Sequence, residues 1–210
     1  MKAISDDVVK QKCIQTPWIT ERRGEIKFGN IPEWLENTAD MMPAGSKEQQ
    51  DYRDAAELAR SCYRDQVKAQ LDPSKVADMC CNEPWTTAKN PLEVIGSRFG
   101  YVTEKLEHAA KLFPDGSAEQ TAYIQAFEAG KQIYFQSMKE FAYRGALGKS
   151  RAEIEGINSQ LWQTAHKLEG DGTYRSARLV KLCELLGHFQ QNLNINVRQP
   201  GVHQYVAKGK

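Results

Sequence analysis

The pattern that most constrains this chain is a helix-start signature written four times. Ser46 is followed three residues later by Gln49, Asn90 by Glu93, Ser117 by Gln120 and Ser150 by Glu153. A short polar N-cap accepts a hydrogen bond from an orphan backbone N–H of the first turn. A Glu or Gln at N3 then reaches back to the cap's own N–H. Asn90 is reinforced by Pro91 at N1, where a missing N–H costs nothing. The chain therefore reads as all-α, with sharp helix boundaries.

Apolar spacing fills in the elements. Residues 47–70 carry Tyr52, Ala55, Ala56, Ala59, Tyr63 and Val67 at helical intervals. Asp72-Pro73 opens a shorter helical turn to about Cys81, and residues 82–87 read as a loop. A helix is predicted over Pro91–Phe113, with Val94, Phe99, Val102 and Leu106 inward and Pro114-Asp115-Gly116 as its stop. The longest helix is predicted from Ala118 to about Leu147. Its apolar residues, among them Tyr123, Ile124, Phe127, Tyr134, Phe135 and Phe141, cover more than half its circumference. A face that broad predicts a central helix with neighbours on more than one side. Gly148 breaks it. Arg151–Glu169 and a helix from Tyr174 to about Leu193 follow.

The expected architecture is one all-α domain, a bundle of about five main helices over residues 46–194. Residues 1–45, punctuated by Pro17, Pro32 and Pro43, read as an extended, irregular N-terminal arm. The arm holds one short helix at Pro32–Met41 and a strand-like Gly24–Phe28. Residues 195–210 read as a basic, amide-rich tail. There Gln199-Pro200-Gly201 suits a type II turn between Ile195–Val197 and Val202–Val206, giving a small C-terminal hairpin with Ile26–Phe28 as a candidate neighbour.

Composition excludes several classes. Five cysteines, an odd number without regular spacing, argue against a disulfide framework and for reduced thiols in the cytoplasm. The polar start MKAISDDVVKQK is unlike a secretory signal. No run of about 18 apolar residues exists to span a membrane. Gly145-Ala-Leu-Gly148-Lys149-Ser150 imitates a phosphate loop, but Tyr143 stands where the motif needs glycine, and a helix rather than a strand precedes it. A helix end followed by an N-cap explains it better. Adjacent Cys80-Cys81 is a poor zinc pair. Glu104–His108 and Glu184–His188 are spaced i+4, where a di-iron bundle needs i+3. No GxSxG or HExxH motif is present. Neither a metal, a cofactor nor a catalytic residue is assigned.

Charge points to the C-terminal end. Residues 173–210 hold six Lys or Arg against one acid, net +5, while the rest holds 22 basic and 26 acidic residues, net −4. Arg175, Arg178, Lys181 and His188 on the last helix, with Arg198 beyond it, form a candidate nucleic-acid-backbone surface. Trp18, Trp34, Met41 and Met42 in the arm are candidate partner anchors, with core packing as the competing role for the tryptophans. Three functions follow. The chain is a non-enzymatic helical subunit of a cytoplasmic assembly that touches nucleic acid through its last helix and tail. Alternatively, it is a protein-only adaptor or inhibitor working through the arm. The third reading is an enzyme or small-ligand binder with a pocket among the Tyr- and Phe-rich helices, holding Tyr123, Tyr134 or His108.

Overall fold

The computed structural model describes residues 2–22, 25–169 and 174–197, with residue 169 and residues 193–197 described through backbone alone. It is mostly helical. Among the described residues it contains α1 (Asp6–Gln15), β1 (Ile19–Arg22), β2 (Glu25–Phe28), α2 (Ile31–Asp40), α3 (Lys47–Gln70), α4 (Val76–Asn82), α5 (Val102–Ala110), α6 (Ala118–Ala146), α7 (Arg151–Glu169) and α8 (Tyr174–Val197). Short 3-10 turns at Pro73–Lys75 and Glu93–Gly96 complete it.

The capping signatures work, with a variation. Gln49, Gln120 and Glu153 N–H groups donate to Ser46, Ser117 and Ser150 Oγ at 3.1, 3.1 and 3.3 Å. Only Glu153 also accepts from its own cap's N–H, at 2.7 Å. Gln49 and Gln120 reach one residue further back, to the N–H of Gly45 and Gly116. Both glycines have a φ of +75°, which turns those N–H groups toward the helix.

The chain forms two compact units rather than one bundle. The first comprises residues up to Glu83 together with Tyr101–Ile133; the second comprises Pro84–Gly100 together with residues from Tyr134 onward. Helix α6 contributes its first half to one and its second half to the other.

In the first unit α3 is the spine. It offers Ala55, Ala56 and Ala59 as a flat, fully buried face. Ile31, Leu35 and Ala39 of α2 and Val9 and Cys13 of α1 are buried with it. The arm is more ordered than its prolines suggest. Ser5 caps α1, its Oγ accepting from Val8 N–H at 3.4 Å, and Asp6 and Asp7 stand in the positive first turn. Strands β1 and β2 pair antiparallel with Ile19 opposite Phe28 and Arg22 opposite Glu25. The strand over residues 25–28 therefore pairs within the arm.

The second unit corrects another expectation. Residues 91–113 are not one helix. Asn90 Oδ1 does accept from Glu93 N–H at 3.2 Å, but the turn it starts ends at Gly96. Ser97 Oγ turns back to Val94 C=O at 3.0 Å and meets Thr86 Oγ1 at 2.6 Å. Thr87 N–H then donates to Arg98 C=O at 3.0 Å. Side-chain hydroxyls thus draw 97–98 into an extended pairing that outcompetes helix. Trp85 packs its edge on Phe141, centroids 5.2 Å apart. α7 and α8 pack along Ile154, Ile157, Leu161 and Leu179, Leu182, Leu186. Helix α8 continues through Val197, so Ile195–Val197 is helical and not a hairpin strand. Residues 198–210 lie outside the described residues.

Helix α6 is not enclosed as its apolar breadth suggested. Tyr123, Ala126, Tyr134, Met138 and Phe141 are buried, but Ile124, Phe135 and Tyr143 are exposed, as is Leu147 just past its end. Gly145 in its last turns has a structural reason. A Cβ there would collide with the Pro91 ring, whereas a Cβ on Gly187 of α8 would meet nothing. Gly145→Ala should destabilise by about 1–3 kcal/mol as overpacking outweighs helix propensity. Gly187→Ala should stabilise by about 0.5–1 kcal/mol. Denaturant titration of the two variants measures both, and a stabilised Gly145→Ala would contradict the close approach.

Candidate functional site

The expected phosphate-reading ridge is largely engaged inside the second unit. Arg175 Nη2 donates to Ser97 C=O at 3.1 Å and Ile95 C=O at 3.3 Å. Arg178 Nη1 donates to Trp85 C=O at 3.4 Å and to Gly100 C=O. Both guanidiniums lie over Phe99, at 5.2 and 5.8 Å, and Arg178 also lies 5.3 Å from the Tyr134 ring centroid. Lys181 is exposed and pairs with Glu184 at 2.8 Å. Its ammonium, like that of Lys139, stands 5.8 Å from the half-open Phe135 ring. His188 is exposed and hydrogen-bonds Asn192 at 3.0 Å. Arg198 lies outside the described residues.

The four arm residues divide. Trp18 is core, 3% exposed, with its indole N–H donating to Gln70 Oε1 at 3.1 Å. Met42 is half-buried. Trp34 and Met41 are 42% and 75% exposed. Seven residues separate them on α2 and just past its end, so they face within about 20° of one another and about 10 Å apart. The buried Ile31, Leu35 and Ala39 of α2 lie on the adjoining face, about 60–140° round the helix from Trp34. Lys12 of α1 lies 4.9 Å from the Trp34 ring centroid.

Sequence reasoning did not find the aromatic cleft of the first unit. A space of about 250 Å³ is lined by Trp18, Phe28, Pro32, Tyr63 and Leu112, with Glu33, Glu36, Arg60, His108 and Lys111 around them. Of the three residues named for the pocket hypothesis, His108 lines this cleft. Tyr123 is buried elsewhere, donating to Leu71 C=O at 3.0 Å, and Tyr134 belongs to the second unit.

The local sequence explains the cleft. β2 ends at Phe28, and Gly29 follows because any Cβ there would strike the Tyr63 hydroxyl and Pro17 C=O. Tyr63, 1% exposed, donates to Thr16 C=O at 2.6 Å. Burial pushes its phenol up to about 12, so it stays protonated at neutral pH. Phe28 and His108 stack face to face, centroids 3.6 Å apart and planes 9° from parallel. Burial first, and the Lys111 charge second, lower the His108 pKa, which favours the neutral imidazole. Nearby Cys13 is pushed up to about 12 by burial and by Cys62, which keeps it a weakly nucleophilic thiol.

Among the described residues no group of three or more His, Cys, Asp or Glu is placed to hold a metal. No described helix is long and apolar enough to cross a membrane. Comparison with known proteins gives no match to a family model, a curated protein or a solved structure.

The His108 shift has a stability consequence with a definite sign. Its folded pKa lies below the unfolded value of about 6.5, so between those two values the unfolded chain binds more protons. Its contribution is complete above pH 6.5 and is lost as pH falls through that window. The denaturant midpoint should drop between pH 7 and pH 5, and His108→Gln should reduce that drop. An equal drop in both proteins would remove His108 as its source.

Proposed function

We propose that this chain is a non-enzymatic helical subunit of a larger assembly, held to a protein partner through the exposed face of α2. The observation that carries this reading is the pair Trp34 and Met41. A tryptophan and a methionine share one exposed face of an element whose adjoining face, Ile31, Leu35 and Ala39, is packed. Large aromatic side chains dominate interface energetics, and methionine adapts to irregular partner surfaces. The non-enzymatic part rests on how the polar groups are used. Tyr63 is tied to backbone, and the thiols of Cys13 and Cys183 are pushed up to about 12 and about 11. The unpatterned cysteines support a reducing, cytoplasmic setting.

Contact with nucleic acid is the second reading. Its support has moved from the arginines of α8 to Phe135, an exposed ring flanked by Lys139 and Lys181. A ring between two cations can stack a base and touch phosphate. It is a small footprint for a nucleic-acid protein.

Retention from native lysate, with and without nuclease, separates the two. Trp34→Ala with Met41→Ala should weaken capture of protein partners by roughly 30-fold, a loss of about 2 kcal/mol, with nuclease making no difference. Fold should be unaffected, because both side chains are exposed. Unchanged capture by the double variant would overturn the α2 reading. Capture abolished by nuclease and by Lys139→Gln with Lys181→Gln would install the second.

A further inference from the structure

Two thiols of the first unit meet where α1 lies on α3. The contacts of Cys13 bracket Cys62. Cys13 Sγ lies 4.0 Å from Ala59 C=O, and a helical carbonyl points along the axis toward the residues three and four further on, here Cys62 and Tyr63. Cys13 C=O accepts from Gln66 Nε2 at 3.2 Å, and Gln66 stands one turn beyond Cys62 on the same face of α3. Tyr63 holds Thr16 C=O at 2.6 Å, which fixes the chain just past α1 to the same stretch of α3. The buried Ala55, Ala56 and Ala59 put little bulk between the two helices. The Cys62 thiol is also close enough to add to burial in holding the Cys13 pKa up.

The two sulfurs differ in access. Cys13 is 1% exposed, whereas Cys62 is half-buried and within reach of a small oxidant. Redox-sensing cysteines pair an accessible sulfur with a resolving neighbour in this way, and disulfides in reducing compartments are mostly transient ones. Cys80 and Cys81 have no such arrangement between them, since successive residues of α4 point about 100° apart.

We propose that Cys13 and Cys62 form a reversible disulfide in response to hydrogen peroxide, locking α1 onto α3. Cys62 Sγ attacks one peroxide oxygen: the S–O bond forms, the O–O bond breaks, and the departing hydroxide takes the thiol proton as water. Cys13 Sγ then attacks the sulfenic sulfur: the S–S bond forms, the S–O bond breaks, and the Cys13 proton leaves with the hydroxide as a second water. The two thiols lose two electrons and the peroxide gains them. A dithiol reverses the change by exchange. Burial of the Cys13 thiol slows the second step, and the fixed position of its partner offsets that. Helix α1 has only Val9 and Cys13 buried, so one covalent tie adds much to its hold. The inference is independent of the α2 docking face.

The test is treatment of the full native chain with a few equivalents of hydrogen peroxide, read by thiol titration, peptide mass mapping and melting. Titratable thiols should fall from five to three. Mapping should join Cys13 to Cys62 within one chain, and dithiothreitol should separate them. The bond closes a loop of about 50 residues, so the oxidised protein should melt roughly 5–10 °C higher until dithiothreitol is added. Cys62→Ser, at a half-exposed position, should abolish both the cross-link and the rise. Cys13→Ala should leave a sulfenic acid on Cys62 that dimedone traps, with far-UV circular dichroism confirming that both variants fold. Peroxide added in denaturant should scramble the pairing. Cross-linking through Cys81 with Cys13 and Cys62 still reduced, sulfinic acid on Cys62 beside a free Cys13, or an equal yield of the Cys13–Cys62 pair from the unfolded chain would overturn the proposal.

Discussion

A helix leaves its last carbonyls without intrahelical partners, and in the first unit α3 supplies what neighbouring ends lack. Gln66 Nε2 donates to Cys13 C=O at 3.2 Å and its Oε1 accepts from Trp18 N–H at 2.9 Å. Tyr63 takes Thr16 C=O, and Gln49 Nε2 reaches Ala39 C=O at the end of α2. Arg64 Nη1 reaches Leu112 C=O at 2.9 Å, just past α5. Three separate segments are thus registered on one helix through their backbones. Their own side chains then need only be apolar and small enough to pack. The cleft is a by-product of this arrangement: Tyr63 must approach the chain at residues 16–17 and Gly29, and the hairpin between them brings Phe28 back beside Trp18.

The second unit solves the same problem with charge. The segment from Pro84 to Gly100 is mostly irregular, so its carbonyls need partners from elsewhere. Arg175 and Arg178 provide them, holding Trp85, Ile95, Ser97 and Gly100 while covering Phe99. Hydrogen bonds from a charged donor contribute about 1.5–3 kcal/mol each, and half-burying a guanidinium is tolerable only when its donors are used. Two residues that look like a phosphate surface on a helical wheel are therefore braces of the fold. A wheel places a side chain by angle. It does not show that a long side chain can bend back over its own neighbours.

The same distinction governs how much of the molecule was legible in the sequence. Helices α3, α6 and α7 are readable almost to the residue, because caps and apolar period agree there. The helix expected over 91–113 fails between Gly96 and Gly100. Hydroxyls at Thr86, Thr87 and Ser97 pair across the segment there, a non-local effect that periodicity does not register. Helix α1 is missed because it is short, polar and carries only Val9 and Cys13 inward, yet its Ser5 cap and acidic first turn were present to be read. Apolar breadth on α6 suggested burial, but rings such as Phe127 and Phe135 can lie half-open beneath lysines, Lys131 standing 4.8 Å from the first and Lys139 5.8 Å from the second. The cleft was invisible because its walls come from residues 18, 28, 63 and 108, which no local motif joins.

Charge gains meaning once the units are known. Along the sequence it looks like a basic tail on a slightly acidic protein. Grouped by fold, the first unit holds 15 basic and 20 acidic residues, and the second 13 basic and 7 acidic. The division is therefore −5 against +6, and it draws in Lys89, Lys139, Arg144 and Lys149 as well as the C-terminal residues. Two of the second unit's cations, Arg175 and Arg178, are engaged with backbone carbonyls, so its surface field is weaker than its formal charge. The first unit's carboxylates on α2 and α3, such as Glu33, Asp40, Asp54 and Glu57, stay largely at the surface. With screening over about 8 Å at physiological salt, the two fields act locally, each on what approaches its own unit.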